Sequence, residues 1–154
     1  MHTSAQWSGT VGSIGNESSL AWDDHYLIGS ERIDSEHRIF FDLIVSYHEG
    51  RLGGMSKERL ALMLEEIVLY ARFHFKSEEN MMFDLGYPGL EAHRLMHRQL
   101  TERLGQQVVG ANLGRYAPQE LEAFLVDWFV HHVTEEDALV SAYVARSGGS
   151  GGSG

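Results

Sequence analysis

Apolar residues recur along this chain at the three-to-four-residue spacing of amphipathic helices. A first segment runs from about Ser35 to Glu49, with Ile33, His37, Phe40, Phe41, Ile44 and His48 on one face and Gly50 as its stop. A second starts near Ser56, with Glu58 and Arg59 in its first turn, and runs to about Leu85. Leu60, Met63, Ile67, Tyr70, Ala71, His74, Glu78, Met81 and Leu85 form its buried stripe, and Gly86-Tyr87-Pro88-Gly89 ends it. A third runs from about Leu90 to Val109 with Leu90, His93, His97, Leu100, Leu104 and Val108 in line, and stops at Gly110. A fourth begins at Pro118, a favourable first-turn proline, and runs to Arg146. Its stripe is Leu121, Leu125, Trp128, Phe129, His132, Glu136, Leu139 and Tyr143. No alternation is long enough for a strand. Four helices with short connections predict an all-α, up-down-up-down antiparallel four-helix bundle with an N-terminal extended arm.

The flanks read differently. Residues 1–20 are rich in Gly, Ser and Thr, with a lone Trp7, and predict a flexible arm. Residues 21–33 place Trp22, Tyr26, Leu27 and Ile28 without helical spacing and predict an extended lead-in to a domain spanning 21–146. Residues 147–154, SGGSGGSG, predict a coil-like linker or appended tail.

Composition narrows the chemistry. At 154 residues one domain is expected, and 43% hydrophobic residues suffice for a real core. The net charge of -10 argues against nucleic acid and against an anionic membrane surface as partners. With no Cys, thiolate metal sites, disulfides and thiol catalysis are excluded. No apolar run approaches the roughly 20 residues of a membrane span, and the N-terminus lacks a signal-peptide pattern, so a cytoplasmic location is expected.

The 9 histidines are the unusual feature, because several fall on the buried stripes. A lone core histidine is ordinarily a hydrogen-bonded packing residue. Here His93 and His97 stand one turn apart on the third stripe, and His74 and Glu78 one turn apart on the second. In an up-down-up-down bundle one end collects the start of the first helix, the end of the second, the start of the third and the end of the fourth. His37, His74, Glu78, His93, His97 and His132 all fall toward that end, within roughly 20 Å given the 1.5 Å rise per residue. Burying so many polar groups without a cation costs several kcal/mol per unmatched group, on the order of 2–7; a metal removes that cost. Imidazole and carboxylate without thiolate suit iron, manganese or zinc.

Four pieces then carry a resemblance: IDSEH at 33–37, HFKSEENMM at 74–82, GYPGLEAHRLMH at 86–97 and WFVHHVTEED at 128–137. In this order and spacing the chain resembles the hemerythrins, and among them the bacterial hemerythrins and hemerythrin-like domains, from about Trp22 to Tyr143. The resemblance implies a non-haem di-iron centre that takes up O2 reversibly. Carried over residue by residue, it implies one iron held by His93, His97 and His132, the other by His37 and His74, with Glu78 and Asp137 bridging. It also implies a bridging oxide or hydroxide. Of about twelve positions on two octahedral ions, one then stays open for a diatomic ligand. Nitric oxide, azide and peroxide are further small ligands for such a position.

Two positions sit awkwardly with the pattern. Asp137 lies about 140° around an ideal helix from His132, whereas Glu136 lies at about 40°. A local π-bulge would reconcile Asp137 with the stripe, and Glu136 is its rival. Second, the family often has Gln where this chain has Glu36, which is expected to be a solvated surface charge. His2, His25, His48 and His131 are expected to be structural. Phe40, Phe41, Trp128 and Phe129 are candidates for an apolar O2 pocket as well as core packing. The resemblance implies O2 carriage or storage, or an O2- or redox-sensing domain fused to signalling parts of a longer chain. The alternatives are a di-iron enzyme (peroxidase, nitric-oxide handling or oxidase) and a zinc-stiffened structural bundle.

Overall fold

The computed structural model describes residues 20–151. Residues 1–19 of the predicted 1–20 arm, with Trp7 and His2, and the last three residues of the tail lie outside them. Helix α1 spans Glu31–Leu52, α2 Lys57–Asp84, α3 Leu90–Asn112 and α4 Pro118–His131. A π-helical turn, His132–Glu136, leads directly into α5, Asp137–Gly151. The fourth predicted helix is thus α4, the π turn and α5 in one rod. α1 packs on α2 and α4, α2 on α3, and α3 on α4, closing the four-helix bundle.

Local chemistry sets the helix starts. The Ser30 hydroxyl accepts the Ile33 amide, and the Ser56 hydroxyl accepts the Arg59 amide. The Ser30 cap starts α1 four residues earlier than the apolar spacing indicates. Asp34 in its first turn accepts the amides of Ile28, at 2.6 Å, and Gly29, at 3.2 Å, pinning the incoming chain. That chain is not simply extended: Asp24–Tyr26 form a 3-10 turn capped by Asp23. It carries Trp22, Tyr26 and Ile28 into the core.

The helix ends correct two expected stops. Gly50 and Gly110 lie inside α1 and α3, and the chain leaves those helices two to four residues later, at Gly54 and Gly114. These two adopt φ of 76°, the left-handed conformation that closes a helix end. The amides of Met55 and Arg115 then return to the carbonyls of Gly50 and Gly110. Gly110 serves packing instead, because a Cβ there would strike the Tyr116 ring. α5 also runs past Arg146 into the Gly/Ser segment, as far as Gly151, where a coil was expected.

One stripe is displaced, and the displacement positions the site. A straight fourth helix would bury Glu136 and Leu139. Instead Leu139 is 69% exposed, while Asp137 and Val140 are fully buried. The π turn inserts one residue, so each buried position after it comes one place later.

The core divides along the rod. The larger apolar cluster, including Ile44, Tyr47, Ile67, Leu104, Leu121 and Leu125, fills one end and the middle. Ile28, Ile33, Met82 and Val140 close the other end. The buried polar residues lie between them. His48 belongs elsewhere: its Nδ1 lies 2.7 Å from Glu122, which also accepts from Arg51 at 2.9 Å, tying α1 to α4.

The two interior glycines of α3 separate these causes. A Cβ at Gly105 meets nothing within 4 Å. Gly105→Ala is expected to raise unfolding stability by about 0.5–1 kcal/mol. Gly110→Ala is expected to lower it by about 1–3 kcal/mol through overpacking against Tyr116. Equal effects in urea unfolding would contradict this account.

Candidate metal centre

Seven residues from four segments meet in the buried polar layer: His37 on α1, His74 and Glu78 on α2, His93 and His97 on α3, His132 at the start of the π turn and Asp137 after it. Their donor atoms form two groups. Those of Glu78, His93, His97 and His132 all lie within 4.8 Å of one another, as do those of His37, His74, Glu78 and Asp137. Glu78 is common to both, and its two oxygens divide between them. Oε1 lies 2.9 Å from His93 Nε2 and 3.2 Å from His97 Nε2. Oε2 lies 3.3 Å from His74 Nε2 and 3.8 Å from His37 Nε2. Asp137 also faces both sides, with Oδ1 3.3 Å from His93 and Oδ2 3.3 Å from His37.

The layer is short of partners. Among the described residues, the buried side-chain nitrogens and oxygens without a hydrogen bond all belong to His37, His74, Glu78, His97, His132 and Asp137. Each such group costs about 1–3 kcal/mol if left unmatched. The orphaned atoms include four imidazole Nε2 and three carboxylate oxygens, an inward-facing set suited to hard or borderline divalent ions. The residues present therefore fit a metal pair.

The outward nitrogens are held by the protein. His37 Nδ1 donates to the Tyr26 carbonyl at 2.9 Å, which gives the lead-in turn a direct hold on the site. His74 Nδ1 contacts Glu36 Oε1 at 3.0 Å. His97 Nδ1 contacts Glu79 Oε2 at 2.8 Å. Such bonds fix the tautomer that turns Nε2 inward.

Glu36 corrects the sequence reading. It is not a solvated charge but only 6% exposed, and it also accepts from Ser77 Oγ at 2.6 Å and Arg32 Nε at 3.2 Å. Lying about 100° round the helix from His37, it falls off the α1 stripe, so apolar periodicity does not reveal it. Glu79 and Phe75 escape the periodicity for the same reason, each one position from a stripe residue. Phe75 stacks on His97 at 4.0 Å between ring centres and meets His132 edge-on at 5.0 Å. Glu136, the rival to Asp137, lies outside both groups, 3.9 Å from His131 Nε2 and from His132 Nδ1. His131 and His25 are exposed and pair with Glu135 and Asp23.

The four pocket candidates are buried. Phe129 lies 6.2 Å from His37, Phe40 6.3 Å from His74, and Trp128 6.2 Å from His132. Phe41 sits one layer out, against Trp22, Tyr26 and Phe129.

The Hemerythrin HHE cation binding domain family matches residues 28–144, which include all seven converging side chains. The chain belongs to the hemerythrin family. It is similar to the bacteriohemerythrin of Pseudomonas aeruginosa, 31% identical over 121 residues that cover 77% of each chain. The bacteriohemerythrin of Clostridium acetobutylicum is 27% identical over 77% of this chain and 95% of its own. The myohemerythrin of Riftia pachyptila is 27% identical over 75% and 86%. The crystal structure of a wild-type hemerythrin superposes with a TM-score of 0.70, covering 81% of this chain and 97% of that one at 23% identity, and supports the bundle fold. Among the described residues of this hemerythrin domain, no helix is long and apolar enough to cross a membrane.

Without a metal, protons take the cation's place. Burial opposes charge on His37 and His93, but Asp137 and Glu78 outweigh it and lift their pKa values to about 10 and about 9. Burial likewise opposes the charge of Glu78, yet the surrounding imidazoles hold its pKa well below the ordinary carboxylate value. His132, with burial dominant, is pushed down to about 4. A raised histidine pKa stabilises the fold fully below the unfolded value of about 6.5. That contribution is lost as pH rises through the folded values. The metal-free domain is therefore expected to show a falling urea midpoint between pH 7 and pH 10. A midpoint that is flat or rising over that range contradicts the assignment.

Proposed function

We propose that this domain binds O2 reversibly at two iron ions bridged by an oxide or hydroxide. His93, His97 and His132 hold one iron, His37 and His74 the other, and Glu78 and Asp137 bridge them. The observation that carries the reading is the division of the fully buried Glu78 between two groups of inward-facing donors. When bound, the iron pair supplies electrons and one open position to a diatomic ligand.

The chain's own residues do the rest. The Tyr26 carbonyl and the carboxylates of Glu36 and Glu79 orient His37, His74 and His97. Phe129 and Phe40 wall the side that carries only two histidines, and with Trp128 they keep water from it. A dry wall of this kind slows proton access to the ligand site. Phe41 backs Phe129 rather than facing the histidines. Nitric oxide, azide and peroxide are further candidates for the same position.

The histidine-rich donor set favours binding over substrate oxidation, since oxygen-activating bundle sites ordinarily use paired Glu-x-x-His motifs. Carriage or storage and sensing, including sensing on behalf of a fused signalling domain, share this chemistry. The lifetime of the O2-loaded domain separates them, long for carriage and short for sensing.

The test is a cycle of anaerobic reduction, O2 exposure and O2 removal, followed by visible spectra and iron analysis. A spectrum that appears with O2 and disappears on its removal, with iron retained, is expected. Zinc without iron in protein from iron-replete cells, or turnover of peroxide or nitric oxide well above free iron, overturns the reading. His74→Ala is expected to lose iron and thermal stability together. Full iron content with an unchanged O2 spectrum in that variant contradicts the ligand role of His74.

A further inference from the structure

Two of the inward-facing histidines are backed by a side-chain carboxylate. Glu36 holds His74 and Glu79 holds His97, so each donor group has one carboxylate behind it. By contrast, His37 is backed by the neutral carbonyl of Tyr26.

The two carboxylates sit in different surroundings. Glu79 lines an open groove between α2 and α3 with Arg72, Lys76, His97 and Arg98, and Arg94 Nε lies 3.5 Å from it. The Glu79 side chain is partly exposed, 15% against 7% for Glu36. The Glu36 carboxylate is buried and takes donors on both oxygens, His74 on Oε1 and Ser77 and Arg32 on Oε2. Arg32 approaches from outside with a side chain 71% exposed. The Tyr70 hydroxyl donates to the Glu36 main-chain carbonyl at 3.2 Å, fixing that turn of α1 against α2. Two helices thus cooperate to keep one acidic side chain behind one ring.

We propose that Glu36 is a positioning residue that locks His74 with Nε2 inward and uses its buried charge to favour the more oxidised state of the bound metal pair. A carboxylate behind a ligating imidazole makes the ring a stronger donor, and a stronger donor stabilises the higher metal charge. Glu79 acts in the same sense on His97 but more weakly, because it borders the groove and is the less buried of the two. The redox part of this inference rests on the iron reading; the positioning part holds for any metal the donors bind.

Glu36→Gln, Glu36→Ala and Glu79→Gln, made in the full chain with its metal in place, test it. Metal retention against a graded chelator and the midpoint potential are read for each. Glu36→Gln keeps an acceptor for His74 and removes the charge. It is expected to retain the metal while its oxidised-to-reduced ratio at fixed potential falls at least tenfold, about 59 mV for one electron. Glu79→Gln is expected to shift the ratio in the same direction by less. Glu36→Ala is expected to weaken metal retention by about 10–100-fold. A merely structural Glu36 would lower stability in both of its variants without moving the potential of Glu36→Gln. An unmoved potential in that variant overturns the proposal, as does a larger shift in Glu79→Gln. If the wild-type protein carries a redox-silent metal, the iron reading fails, and the chelator series alone decides the positioning role. Weaker retention in Glu36→Ala with rescue in Glu36→Gln then supports it, and equal retention in all variants overturns it. Should Glu36→Ala not fold, loss of metal from a folded Glu36→Gln overturns it instead.

Discussion

Buried imidazoles and carboxylates that have too few hydrogen-bond partners must be matched by positive charge. That requirement governs this bundle. Four helices bring the side chains together through apolar packing, but the polar layer between the two apolar clusters opposes the fold unless something neutralises Glu78 and Asp137. Without metal, protons on His37 and His93 serve. On the proposed reading, iron replaces them and turns an electrostatic burden into the functional centre.

The π turn is where fold and chemistry meet. One inserted residue brings Asp137 inward and turns Leu139 out to solvent. Such turns disturb regular helical bonding and commonly occur at functional sites. Here the gain is a second carboxylate facing both groups of donors. The lead-in turn plays a comparable part: Trp22 and Tyr26 are buried on the aromatic wall, and the Tyr26 carbonyl orients His37.

Much of this was legible in the sequence because amphipathic stripes report directly on a bundle. His37, His74, Glu78, His93 and His97 fall on those stripes, and the structure brings them together. Asp137 was not legible from spacing alone, since a straight helix points to Glu136. Glu36 was invisible for another reason. It packs against α2 from a position next to the stripe, and only the arrangement of α1 against α2 reveals His74 and Ser77 as its partners. The ends of α1 and α3 were misplaced because a glycine that ends a helix and a glycine that admits a neighbouring ring look alike in a sequence; Gly114 and Gly110 are one of each.

Native mass spectrometry of the protein from iron-replete cells, with its metal identified by elemental analysis, addresses the central claim most directly. The account predicts a dominant species carrying a pair of iron ions per chain, with that pair lost when the Glu78 carboxylate is removed. A folded wild-type protein that carries one ion or none, or that keeps its full complement without Glu78, would contradict it.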